Sequence, residues 1–126
     1  MTGNGRPLVL VADDDPDILS LVALRLERAG YEVVVARNGE EAVTSAVERT
    51  PDIALLDVMM PRLDGYEATA RLRAHAATRQ MPVILLTARV QEADIARGIE
   101  AGADDYVKKP FSTQELHERV QAALGR

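Results

Sequence analysis

The chain has 126 residues, 47% hydrophobic and 28% charged, which is typical of one domain with a single hydrophobic core. It contains no cysteine and only two isolated histidines, which excludes disulfides, thiolate metal sites and a zinc site, so any metal must be bound by oxygen. A net charge of −5 without a basic block speaks against direct binding to nucleic acid, and no apolar run approaches the roughly 20 residues of a membrane span. We therefore expect one cytoplasmic domain over residues 1–126, with a flexible extension over residues 1–7.

Five apolar runs, each followed by a stretch with helical spacing, predict an α/β fold with a parallel sheet. Their hydrophobicity is continuous rather than alternating, which is typical of strands covered by helices on both faces, and the last run is the weakest. The predicted strands are Leu8–Ala12, Glu32–Ala36, Ile53–Leu56, Val83–Leu86 and Asp105–Val107.

Helix signals fill the intervals between these strands. Asp15-Pro16 starts the first predicted helix and Gly30 ends it, because aspartate caps a helix and glycine adopts the left-handed stop. The second spans Gly39–Arg49, the third follows Asp64, the fourth covers Gln91–Ala101 ahead of Gly102, and the fifth begins at Ser112 with Glu115 in capping-box spacing. Right-handed crossovers then give an open doubly wound sheet that binds ligands at the carboxyl ends of its strands.

Polar side chains follow four of the predicted strands at these ends. Asp13 and Asp14 end the first strand, Asp57 the third and Thr87 the fourth, and Lys109 comes just after the fifth. Carboxylates gathered at one edge repel each other by roughly a few kcal/mol per pair, so the site needs protons or a cation. The pattern therefore predicts a divalent-cation site in this crevice.

Magnesium fits this site because it uses one or two carboxylates and leaves positions open for phosphate oxygens. Asp57 is then the carboxylate best able to attack a phosphorus atom, while Lys109 neutralises one phosphoryl oxygen and the Thr87 hydroxyl donates to another. Phosphoryl transfer requires little beyond such positioning and charge neutralisation. The sequence thus indicates a domain that accepts a phosphoryl group on Asp57.

Four segments carry a resemblance to a known family: V-L-V-A-D-D-D-P-D-I, I-A-L-L-D-V-M-M-P-R-L-D-G-Y-E, V-I-L-L-T-A and D-D-Y-V-K-K-P-F. In this order they resemble the receiver domain of bacterial two-component response regulators, over about residues 8–124. The resemblance implies a flavodoxin-like five-stranded sheet of order 2-1-3-4-5. It also implies that the domain is a switch and not a turnover enzyme, catalysing only its own phosphorylation and dephosphorylation.

The resemblance also implies roles for single residues. Asp57 is the phosphoacceptor, and Asp13 and Asp14 bind Mg2+ together with Asp57 and the Met59 carbonyl. Lys109, and not Lys108, precedes a cis proline and contacts the phosphoryl group. Thr87 moves toward the phosphate, and Tyr106 turns inward into the space that Thr87 vacates. We further hypothesise that Met59 and Arg89 flank the phosphate, with Met59 hindering a hydrolytic water.

The implied partners are a sensor histidine kinase or a phosphotransfer protein as donor, and a downstream effector domain or target protein as receiver of the signal. The surface that they read would be helix four, strand five and helix five. Related receivers dimerise there through charge pairs that include a basic residue near position 95, where this chain has Ile95, although Asp105 and Arg119 are present. The sequence therefore does not decide whether the domain forms a phosphorylation-dependent homodimer. It also does not decide whether the receiver is free-standing or part of a longer protein.

Simpler readings compete at several positions. Asp15 is more simply a helix cap than a metal ligand, and Asp64-Gly65 more simply the cap and close packing of the third helix. An aspartate-nucleophile phosphohydrolase would carry a second aspartate two residues after the nucleophile, where Met59 stands. A flavodoxin-like electron carrier would need a phosphate-binding loop after strand one, where three acidic residues would repel flavin phosphate.

Overall fold

The computed structural model describes residues 5–88 and 90–125. The predicted extension over residues 1–7 therefore lies partly outside the described residues, as does Arg89. In the described part of this extension, Pro7 is buried, and its carbonyl accepts a hydrogen bond from the amide of Glu32 at 2.9 Å. The ordered sheet thus begins next to this proline.

Five parallel strands form one sheet in the order β2-β1-β3-β4-β5, as the resemblance implied. The strands are β1 (Leu8–Ala12), β2 (Glu32–Ala36), β3 (Ile53–Asp57), β4 (Val83–Thr87) and β5 (Asp105–Lys108). The helices are α1 (Pro16–Arg28), α2 (Gly39–Arg49), α3 (Gly65–Ala74), α4 (Glu92–Ala101) and α5 (Thr113–Ala123). All predicted elements are present, and β3, β4 and β5 each extend one residue beyond the predicted end.

The sheet separates two apolar cores. Residues Leu10 and Ala12 of β1 face the core under α2 and α3, whereas Val9 and Val11 face the core under α1 and α5. The side chains of β1, β3 and β4 are buried along their full length, which explains why these strands are continuously apolar. Two-sided burial makes the sheet a rigid platform for the residues at its carboxyl edge.

Helix caps fix where the chain leaves that edge. Asp15 caps α1 by accepting hydrogen bonds from the amides of Asp17 and Ile18, which confirms its predicted role. Asp64 and Glu67 form a full capping box on α3, with distances of 2.8 and 3.2 Å. At α5, where the spacing predicted such a box, the Ser112 hydroxyl accepts a hydrogen bond from the backbone amide of Glu115 at 3.0 Å, which is one of the two bonds of a capping box.

None of the helices in residues 5–88 and 90–125 is long and apolar enough to cross a membrane.

Candidate functional site

The carboxyl ends of three neighbouring strands bring the predicted residues together. Asp13 follows β1 directly, and Asp57 and Thr87 are the last residues of β3 and β4. All three side chains are buried, with exposures of 1%, 4% and 3%. Three polar side chains are therefore held in fixed positions at the switch in strand order between β1 and β3.

Asp13, Asp14 and Asp57 form an acidic cluster in which one carboxylate oxygen of each lies within 4.8 Å of the others. Asp14 is exposed, unlike its two partners, so the cluster opens to solvent on its side. The predicted convergence of these carboxylates is thus present. Asp13 also accepts a hydrogen bond from the amide of Asp15 at 3.0 Å, which orients its carboxylate.

Lys109 extends into this cluster from the loop after β5. Its Nζ lies 3.0 Å from Asp13 Oδ2 and 3.2 Å from Asp57 Oδ1. The backbone places it there, because the amide of Lys109 donates to the carbonyl of Thr87 at 2.8 Å. The Lys109–Pro110 peptide bond is cis, as the resemblance implied, and Lys108 is exposed.

Burial and charge shift the pKa values in the cluster. The pKa of Asp57 is raised to about 6, first by burial and second by the nearby charge of Asp13, while Lys109 and a backbone hydrogen bond from Met59 limit the rise. For Lys109, burial alone would lower the pKa, but hydrogen bonds and charges from Asp13 and Asp57 outweigh burial and raise it. Lys109 therefore stays charged and offsets part of the repulsion between the carboxylates.

Met59 and Tyr106 occupy two different surroundings. The Met59 side chain is 71% exposed, and Met59 and Asp14 line the same surface cavity of about 580 Å³. Tyr106 lies on β5, and its phenol donates a hydrogen bond to the Ile95 carbonyl of α4 at 2.6 Å. Met59 thus lies beside the acidic cluster, while the Tyr106 side chain contacts α4.

The donor set fits a hard divalent cation. All of its ligand atoms are oxygens, and three carboxylates with one ammonium carry a net charge of minus two when ionised. A divalent cation would neutralise that charge and remove the repulsion that raises the pKa of Asp57. The chemistry of the acidic cluster therefore suits an ion of this kind.

Two contacts that support the cluster could not be foreseen in detail. Gly65, at the start of α3, packs so closely on β3 that a Cβ there would lie 2.7 Å from the Asp57 carbonyl oxygen. Arg97 of α4 lies 3.7 Å from Asp64 and stacks over the Tyr66 ring at 4.5 Å. The D-G dipeptide signalled the first contact as close packing, whereas no local pattern signals the second.

Comparison with known proteins supports this picture. The family described as "Response regulator receiver domain" matches residues 9–121 of the chain. The chain is 46% identical over 118 residues to the alkaline phosphatase synthesis transcriptional regulatory protein PhoP of Bacillus subtilis, covering 94% of this chain and 48% of PhoP. It is 43% identical to the phosphate regulon transcriptional regulatory protein PhoB of Pseudomonas aeruginosa, covering 94% and 52%. The chain thus spans about half the length of these curated relatives.

Solved structures show the same likeness. The receiver domain of the sensor histidine kinase PA1611 of Pseudomonas aeruginosa, solved with a magnesium ion in its active site cleft, superposes with a TM-score of 0.89 at 34% identity and covers 97% of this chain and 100% of that one. The chemotaxis protein CheY4 of Vibrio cholerae superposes with a TM-score of 0.91 at 30% identity, covering 94% and 99%.

Proposed function

This chain belongs to the family of response regulator receiver domains, a family of signalling domains, and we therefore propose that Asp57 is its phosphoacceptor. One observation carries the proposal: Asp57 lies in a cluster of three carboxylates within 4.8 Å, and the Lys109 ammonium contacts its Oδ1 at 3.2 Å. This arrangement combines a nucleophile, an oxygen-lined cation site and a fixed positive charge. We also propose that residues 1–126 form a single receiver domain.

The proposed reaction is nucleophilic attack by an Asp57 carboxylate oxygen on phosphorus. The new oxygen–phosphorus bond replaces the phosphorus–nitrogen bond of a phosphohistidine, and the imidazole leaves with a proton from solvent. The Lys109 ammonium, which contacts the unmodified Asp57 carboxylate, would then form an ion pair with a phosphoryl oxygen. The Thr87 hydroxyl would donate a hydrogen bond to a second phosphoryl oxygen. The same groups would serve hydrolysis, so the domain would catalyse both the gain and the loss of its phosphoryl group.

Magnesium is the proposed cofactor. Asp13, Asp14 and Asp57 would hold it through carboxylate oxygens, together with the Met59 backbone carbonyl. When bound, the ion would supply positive charge to the carboxylates and to the phosphoryl oxygens. The amide of Asp15 and the ammonium of Lys109 both contact the Asp13 carboxylate and restrict its orientation.

The proposed donor is a sensor histidine kinase or a phosphotransfer protein, and the proposed receiver of the signal is an effector domain or a target protein. The relatives PhoP and PhoB are named as transcriptional regulators, and this chain matches about half of each. We propose that Thr87 and Tyr106 pass the signal to the surface of α4, β5 and α5. Within the chain, Arg119 Nη1 already contacts both Asp105 oxygens at 2.8 and 2.9 Å, so a phosphorylation-dependent homodimer would have to form around that pair.

The proposal is tested by intact-protein mass spectrometry. The wild-type protein and the Asp57→Asn variant are incubated with a small-molecule phosphodonor, with magnesium or with EDTA. We expect the mass of one phosphoryl group on the wild-type protein with magnesium, and no such mass with EDTA or on the variant. Equal labelling of the Asp57→Asn variant would rule out Asp57 as the phosphoacceptor.

A further inference from the structure

Gly98 lies at the buried face of α4, in the interior of that helix. Glycine destabilises a helix interior relative to alanine, and the ordinary helical backbone at this position is open to any L-residue. Backbone conformation therefore gives no reason for a glycine here. The reason must lie in the space that a side chain would occupy.

That space is filled by Tyr106. A Cβ added to Gly98 would overlap the Tyr106 Oη, and it would lie 2.6 Å from Cζ and 3.0 Å from Cε1. A side chain at position 98 would therefore force the end of the ring, which also carries a hydrogen bond, to shift away from Gly98. We call the space bounded by Gly98 and the Ile95 carbonyl the Tyr106 socket.

The phenol is held in this socket by a specific contact as well as by packing. Its Oη donates to the Ile95 carbonyl at 2.6 Å, and the ring packs against the core under α2 and α3. Burial raises the pKa of Tyr106, which keeps the phenol protonated and able to donate. The socket therefore defines one discrete position of the ring.

The ring in the socket and the helix that forms the socket are each connected to residues near the acidic cluster. On one side, Tyr106 lies on β5, the strand that leads into Lys109. On the other side, Arg97, the neighbour of Gly98, lies 3.7 Å from Asp64, the cap of α3. The socket is therefore connected through β5 to Lys109 and through Arg97 to the start of α3.

We propose that Gly98 is a positioning residue for the switch: its missing side chain admits the Tyr106 phenol and so sets how readily Tyr106 leaves α4. This inference rests on the proposed function, in which Tyr106 turns toward the space beside Thr87 when Asp57 is phosphorylated. A side chain at position 98 would disfavour the socketed ring and favour the other position. By linkage, it would strengthen binding of any ligand that prefers the other position.

The test measures the affinity of the full chain for beryllofluoride, an analogue of the phosphoryl group, in the presence of magnesium. We expect Gly98→Ala to bind it about fivefold more tightly than the wild-type protein, a typical size for such a coupling. In a Tyr106→Ala background, the same Gly98→Ala change should leave the affinity unaltered, because no ring remains to be displaced. Ala96→Gly, on the exposed side of α4, is the matched control for helix propensity.

A second measurement in the free protein reports on the ring itself. The ring signals of Tyr106 in an NMR spectrum, assigned by their loss in Tyr106→Phe, should move in Gly98→Ala and stay in place in Ala96→Gly. If the ring signals did not move in a normally folded Gly98→Ala variant, the proposal that a side chain at position 98 displaces the Tyr106 ring would be refuted. Equal affinity changes in the Tyr106 and Tyr106→Ala backgrounds would likewise overturn it, since they would reflect helix stability. If the wild-type protein failed to bind beryllofluoride, the proposed function itself would be refuted.

Discussion

Replacing Asp57 with asparagine should stabilise the metal-free protein at alkaline pH. The folded protein raises the pKa of this carboxyl from 3.8 to about 6, mainly because the side chain is buried and secondly because Asp13 lies close to it. The stability that the protonated carboxyl contributes is therefore fully present below about pH 4 and is lost as the pH rises through about 6. At about 1.4 kcal/mol per unit, this loss amounts to roughly 3 kcal/mol at pH 8.

Urea unfolding in EDTA measures this effect directly. Asp57→Asn should exceed the wild-type protein in free energy of unfolding by roughly 2–3 kcal/mol at pH 8, because the neutral amide has neither the buried charge nor the repulsion from Asp13. The difference should shrink to near zero at pH 4. Asp17→Asn, at an exposed position in the first turn of α1, is the control and should show no comparable pH dependence.

Magnesium should reverse part of this difference. A ligand that binds only the folded state stabilises it, and the wild-type protein would bind the ion more tightly than Asp57→Asn. Adding magnesium at pH 8 should therefore raise the unfolding midpoint of the wild-type protein more than that of the variant. If Asp57→Asn were no more stable than the wild-type protein at pH 8 in EDTA, the ionised Asp57 carboxylate would not destabilise the folded protein, and the reasoning would be refuted.

Three further changes probe the surroundings of the site. Arg73→Met should lower the free energy of unfolding by about 2–3 kcal/mol in urea, because this side chain donates to several loop carbonyls and to Asp104 at 2.9 Å. Gly65→Ala should cost about 1–3 kcal/mol and weaken magnesium binding by calorimetry, since its Cβ would press on the Asp57 carbonyl from 2.7 Å. Met59→Asn should raise the dephosphorylation rate in a phosphate-release assay, and an unchanged rate would refute the shielding role of this exposed side chain.

Local patterns were sufficient to predict the elements of this fold. Apolar runs located all five strands, most clearly β1, β3 and β4, whose two-sided burial leaves no polar position to break them. The strand ends were less certain: Asp57 and Thr87 belong to β3 and β4, although as polar residues they were placed after the predicted strands. Backbone pairing continues past the apolar side chains, which a hydropathy pattern cannot indicate.

Contacts between distant segments were beyond the reach of those patterns. The Lys109 ammonium meets Asp13 across 96 positions of the sequence, and the strand ends indicated only that the two would be near each other. The fit of Tyr106 against Gly98 depends on the distance between β5 and α4, which no spacing in the chain encodes. The full capping box formed at Asp64 and Glu67, whereas the spacing had predicted one at Ser112 and Glu115, where one of the two hydrogen bonds is present. The side-chain geometry at each helix start decides whether both hydrogen bonds close.

Locating the phosphoryl group within the chain tests the central claim most directly. The protein is phosphorylated with a small-molecule donor and magnesium, treated with borohydride to convert an acyl phosphate into homoserine, and mapped by peptide mass spectrometry. The site described above predicts homoserine at position 57 and unmodified aspartate at positions 13 and 14. Homoserine at either of those positions, with Asp57 intact, would contradict it.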